Sequence, residues 1–141
     1  MTTSDGFCLA ALIVLTFPMA YFFVVSPNFF FFRFDDRTVA WVQRGLFNTY
    51  FLTMAVCCAI GAVVFAAAGR PAFTVGIGLL GAMAWRARRW FVGEIDAQLR
   101  ARDAGDTGTA SRLRRLHLGG IAYNTVQLAA FLISFPFVFG R

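Results

Sequence analysis

The sequence predicts an all-α fold, an integral membrane four-helix bundle. Of its 141 residues 59% are apolar, Phe alone occurs 18 times, and only 14% are charged. A soluble domain of this size carries about a quarter charged residues to cover its surface. Charge-free apolar runs longer than the roughly 18 residues of a membrane-spanning helix recur along the chain. Four such runs with short connections use up its whole length, so one transmembrane domain is expected over 1–141.

The first span is predicted at 7–25. Met1 to Gly6 hold no Arg or Lys, and no small-x-small site follows the run, so it is expected to stay as a span and not to be cleaved as a leader. Pro18 lies inside it and predicts a kink. Ser26-Pro27-Asn28 interrupts the helix. Phe29, Phe30, Phe31 and Phe32 follow at the level of the membrane interface, as a lipid or partner contact. A polar connection is expected over 33–45, with Asp35 and Asp36 as N-cap candidates for an amphipathic helix starting near Thr38. That helix feeds the second span, 46–68. Gly69-Arg70 then turns the chain, and Pro71 suits the first turn of the next helix.

The third span is predicted at 71–90. Its uncharged stretch ends after 15 residues, at Arg86. That length covers about 22 Å, short of the roughly 30 Å of a hydrocarbon core, so the helix must continue past Arg86. Arg86, Arg88 and Arg89 are expected to reach the headgroups as lipid or partner contacts, with Trp85 and Trp90 as interfacial anchors. The helix is expected to run on to about Arg102, with Asp96 and Arg100 spaced for an ion pair. A second connection spans 91–115, its Gly-, Asp- and Thr-rich part at 103–111. The fourth span follows at 116–139, with Pro136 near its end.

All 13 cationic residues are Arg, and the net charge is +6. No soluble basic domain or recognition motif accompanies them, which excludes a nucleic-acid partner. They flank the apolar runs, where they meet anionic lipid headgroups. Arg33, Arg37, Arg44, Arg86, Arg88, Arg89, Arg100, Arg102, Arg112, Arg114 and Arg115 belong to one side of a four-span chain; only Arg70 and Arg141 belong to the other. Eleven against two places both Arg-rich connections in the cytoplasm and both termini on the non-cytoplasmic side of a cell inner membrane.

Small residues and polar groups hold helices together in lipid. Thr74, Gly78 and Ala82 form a small-residue ridge on span three, and Cys57 with Gly61 on span two, for packing within the subunit or for dimerisation. On span four His117, Asn124 and Gln127 share one face, prolonged by Gly120 and Ser134. With Asn28 and Asn48 they are expected to form a polar cluster in the cytoplasmic half. That cluster is read either as hydrogen-bond glue between helices or as a ligand or cofactor pocket. The three cysteines lack metal-ligand spacing and read as small hydrophobes.

Three stretches carry a resemblance. Phe22-Phe23-Val24-Val25-Ser26-Pro27-Asn28-Phe29-Phe30 closes span one. Arg44-Gly45-Leu46-Phe47 opens span two. Arg115-Leu116-His117, followed by Asn124 and Gln127, opens span four. In these the chain resembles small four-helix membrane proteins of the transmembrane protein 205-like type, a domain of unknown function. Gly120 departs from the Ser usual at that place in the family. The resemblance implies the fold and no activity. A more distant similarity to copper-resistance D-like and haem-associated four-helix families implies a redox role.

Three functions follow from these readings. The first is a non-enzymatic accessory or structural subunit packing with other membrane-protein subunits in a respiratory or photosynthetic complex. The second is a redox protein with haem or quinone at His117, Asn124 and Gln127; a single His excludes bis-histidine haem within one subunit. The third is a small-solute transporter, which the lack of Asp and Glu inside the spans disfavours. No cofactor is fixed by the sequence, and no catalytic or metal-binding residue is singled out.

Overall fold

In the computed structural model residues 3–31 and 37–139 are described, and Phe32, Arg33, Asp35 and Asp36 lie outside them. Helix α1 spans Thr3–Val25 and runs straight into a 3-10 helix, Ser26–Phe31. Its buried residues Cys8, Leu12, Leu15, Met19, Phe22 and Ser26 alternate four and three apart. That is the seam spacing of helix bundles, in which each side chain enters a hole on its neighbours.

Helix α2 spans Arg37–Ala67 without a break. The amphipathic segment expected before span two is its first turns, and 33–36 of the expected connection lie outside the described residues. Its seam runs through Ala40, Gln43, Phe47, Tyr50, Met54, Cys58, Gly61 and Phe65. A glycine with φ +70° ends it: Gly69 N–H reaches Ala66 O at 3.0 Å, and Arg70 N–H reaches Phe65 O at 3.0 Å. These are the two bonds of a Schellman cap. Pro71 then opens α3, Pro71–Asp103. The same cap recurs there, with Gly105 at φ +92°, Gly105 N–H on Arg102 O and Asp106 N–H on Ala101 O. Helix α4 begins four residues later and spans Thr109–Phe139, so the expected loop over 103–111 shrinks to a tight turn.

Consecutive helices are neighbours, and α4 closes the ring against α1. The α2–α3 contact is the most extensive because backbones approach closely there; a Cβ on Gly81 would lie 2.8 Å from Cys58 Cβ. Gly61 packs inward as expected, against Leu15 and Ile77. The expected ridge on α3 does not: Gly78 and Ala82 are exposed, and Ile77, Gly81 and Ala84 take the contact instead.

Helices α1 with the 3-10 turn, α2 and α4 are long and apolar enough to cross a membrane. Three such helices mark a membrane protein. Helix α3 is as long but less apolar, because Arg86, Arg88 and Arg89 interrupt it. It nonetheless continues unbroken to Asp103, as its short apolar run requires. Beyond Arg86 its outer turns pair with α2 and α4. Arg44 binds Asp96 through two bonds of 2.5 and 3.0 Å, Arg37 binds Asp103 at 3.1 Å, and Arg112 binds Gln98 at 2.6 Å and also Asp106. Asp96 therefore bonds across to α2, and not along its own helix to Arg100. At the opposite end Arg70 binds Asp5 at 2.7 Å.

Candidate functional site: the polar seam of the last helix

The seam of α4 carries His117, Gly120, Asn124 and Gln127 at intervals of three and four, and all four are buried. At about 1.5 Å per residue, His117 and Asn124 lie about 10 Å apart along the axis, and Gln127 about 4.5 Å further on. Each meets a different environment.

His117 is met by the end of α1. Pro27 has no N–H to continue the helix, and the chain tightens into the 3-10 turn at that point. Ser26 is fully buried there, with its carbonyl oxygen 2.7 Å and its hydroxyl 3.2 Å from His117 Nε2. A carbonyl can only accept, so Nε2 carries the proton and donates. The ring sits among Phe29, Phe30 and Phe47, with centroids 5.2, 5.4 and 5.8 Å away. Ser26 and His117 thus have the separation of a nucleophile and base without the chemistry. The nearby nitrogen is protonated toward a carbonyl, and both residues are sealed from any substrate. The same packing does not fit an axial haem ligand, because Nε2 is bonded and the ring is covered by aromatic faces.

Asn124 joins three helices. Its Oδ1 accepts from Tyr50 Oη at 2.5 Å, and its Nδ2 donates to Met19 O at 3.0 Å. Gln43, on the seam of α2, donates to Leu113 O at 3.2 Å, tying α2 to α4 nearer the Arg-rich end. Gln127 is different. It is 6% exposed, and neither of its amide atoms has a partner among the described residues. It lines a cavity of about 470 Å³ whose other walls include Leu12, Gly76, Ile77 and Phe131.

The expected cluster is therefore only partly assembled. Asn28 is exposed and bonds back to Val24 O and Val25 O. Asn48 accepts from Arg88 at 2.9 Å, outside the seam. Ser26, Gln43 and Tyr50 take the places expected for them. The signal for Gln43 and Tyr50 was available in the three-four spacing of Gln43, Phe47, Tyr50 and Met54, which puts a Gln and a Tyr on an otherwise apolar seam. The aromatic tetrad also divides: Phe29 and Phe30 turn to His117, Phe31 is 88% exposed, and Phe32 lies outside the described residues.

The three arginines of α3 divide as well. Arg88 is withdrawn to Asn48 and lies over the Trp85 ring at 5.1 Å. Arg86 and Arg89 are exposed and line a groove of about 920 Å³ between α3 and α4, with Trp85, Trp90, Gly119 and Tyr123. Among the described residues no group of three or more His, Cys, Asp or Glu is placed to hold a metal ion. Compared with protein-family models, curated proteins and solved structures, the chain matches none.

Proposed function

We propose that this chain is a non-catalytic accessory subunit of a larger inner-membrane assembly, of respiratory or photosynthetic type. In this reading all four helices cross the bilayer, the Arg-rich ends lie in the cytoplasm and both termini lie outside. The kinship with the transmembrane protein 205-like type is part of the same proposal. One observation carries it: the polar groups of the seam are spent on joining helices, through His117 to Ser26 and through Asn124 to Tyr50 and Met19. The chemistry-bearing residues are thus structural, and what the molecule offers its surroundings is its flank. That flank is aromatic and aliphatic, with Phe17, Val63 and Phe137 each about 70% exposed. Such surface at membrane depth suits lipid and neighbouring helices.

The test is extraction of native membranes in a mild detergent, followed by sizing with light scattering. The chain is expected to elute with other polypeptides in fixed stoichiometry. Elution as a lone chain of 15.6 kDa plus detergent would overturn the reading.

A second reading, quinone binding, is favoured by Gln127, a buried amide without a partner beside a mostly apolar cavity. A small quinone has carbonyls to accept from that amide and a flat apolar body to fill the space. A short-chain quinone should then raise the melting temperature of the wild type and leave that of Gln127→Leu unchanged. Equal shifts in both proteins would remove this reading.

A further inference from the structure

We infer that the groove between α3 and α4 holds one phospholipid of net negative charge, its phosphate on Arg86 and Arg89 and an acyl chain along the groove. The inference deepens the proposal above, since it rests on the chain's flank being its binding surface, and names one ligand for it.

The headgroup end is set by charge. Arg86 and Arg89 are three apart, so they share a face of α3. Both are exposed, neither has a hydrogen-bonding or ionic partner among the described residues, and no acidic residue lines this part of the groove. A guanidinium pair with nothing to neutralise it matches a phosphodiester, which each fork can engage through two N–H donors. Arg88, between them in sequence, is already committed to Asn48. Trp85 and Trp90 are about half exposed and stand beside the pair at the level where indoles settle in an interface. The anion site stops on the far side at Glu94, which lines an adjoining lobe with Arg112 and Arg115.

The chain end is set by shape. Gly119 opens the α4 wall, and the nearest atom to a Cβ placed there is 3.9 Å away, on Phe91. Met83 lines both this groove and the cavity below it, so their apolar walls are continuous from Gly119 to Ser134. Fifteen residues of helix cover about 22 Å, more than the roughly 15 Å depth of one leaflet. A zwitterionic lipid would fill the same shape but bring a cation beside two arginines.

The test uses the purified full chain alone in detergent micelles, so its failure is separable from a failure to find companion subunits. Native mass spectrometry with added phosphatidylglycerol is expected to show one retained adduct under conditions that strip phosphatidylcholine. Arg86→Gln and Arg89→Gln should each lower its occupancy about fivefold, the effect of one surface cation on an anionic lipid. Arg100→Gln, an exposed cation elsewhere on α3, should not. Gly119→Leu keeps every charge and should abolish the adduct, whereas Gly119→Ala should keep it. If Gly119→Leu fails to fold by circular dichroism, the arginine variants decide alone. Equal retention of both lipids, an unchanged adduct in the arginine variants, an equal fall in Arg100→Gln, or dimers in place of the adduct would each overturn the inference.

Discussion

The Phe47 ring turns its Cε1–Cζ edge to the backbone of Gly120, so close that a single added methyl would sit inside any allowed contact distance of both atoms. The ring cannot easily retreat, because Phe22, Phe51, Phe91 and His117 surround it. Gly120→Ala is therefore expected to cost about 1–3 kcal/mol, as overpacking does. Thermal unfolding in detergent measures this, with Gly119→Ala as the neutral neighbour. If Phe47→Leu restores the loss in the double variant, the ring is the cause; an unaltered melting temperature for Gly120→Ala would refute the close packing.

Asn124 and Gln127 share a seam but should respond differently. Asn124→Leu strands Tyr50 Oη and removes the extra bond to Met19 O, and interhelical bonds in membranes average about 0.6 kcal/mol with a maximum near 1.7. Gln127→Leu removes an amide that bonds to nothing among the described residues, and is expected to be neutral or stabilising. Unfolding midpoints of the two variants check this. The reverse order would show that Gln127 has a partner of its own.

The Arg44–Asp96 pair bridges α2 and α3 where both side chains are about one-third exposed. Solvent screening limits such a pair, so a double-mutant cycle with Arg44→Gln and Asp96→Asn is expected to give a coupling below about 1 kcal/mol. It should shrink further in high salt.

Asp106 lies in the turn between α3 and α4. The Gly108 N–H, 2.8 Å away, and then Arg112 hold its carboxyl below the usual carboxylate range. Because its pKa is lowered on folding, its stabilising contribution is full above the ordinary value of about 3.9 and fades as pH falls through the folded value. Carbon NMR of the Asp106 carboxyl should give a titration midpoint below that of a free aspartate. In Arg112→Gln the midpoint should rise. An unmoved midpoint would mean the guanidinium plays no part.

For topology, reporter cysteines at Thr2 and Thr107 in a background without native cysteine should label in opposite senses in intact cells. Thr2 is expected to react with an impermeant reagent and Thr107 only after lysis. The opposite pattern would invert the orientation proposed from the arginines.

The helices and the polar face of the last one were legible because the physics behind them is local, whereas the small-residue ridge read on α3 was misplaced. Charge-free apolar runs marked α1 and α4, Pro71 marked the start of α3, and the short 15-residue run before Arg86 required the extension that the helix makes. The burial of His117, Asn124 and Gln127 followed from their spacing. What sequence spacing could not carry was the choice of partner across space. Nothing near Asp96 in sequence ranks Arg44 above Arg100, and nothing near Arg88 distinguishes it from Arg86 and Arg89. Those choices depend on which helices lie side by side, and that is fixed by long-range packing such as Gly81 on Cys58.

The bonds of the last helix also carry an order of assembly. Tyr50 and Asn124 are 74 residues apart, and His117 lies 91 residues after Ser26. At about 5–20 residues per second, roughly 4–15 seconds of synthesis separate Tyr50 from the side chain that accepts its proton. Through that interval the nascent first hairpin holds the Tyr50 phenol and the Ser26 hydroxyl without the α4 side chains they meet in the finished fold. A ribosome stalled before Gly120 should therefore hold a chain that proteases and insertion factors recognise as unfinished. Its release would come when α4 docks, because that one segment brings Asn124 to Tyr50 and His117 to Ser26 together.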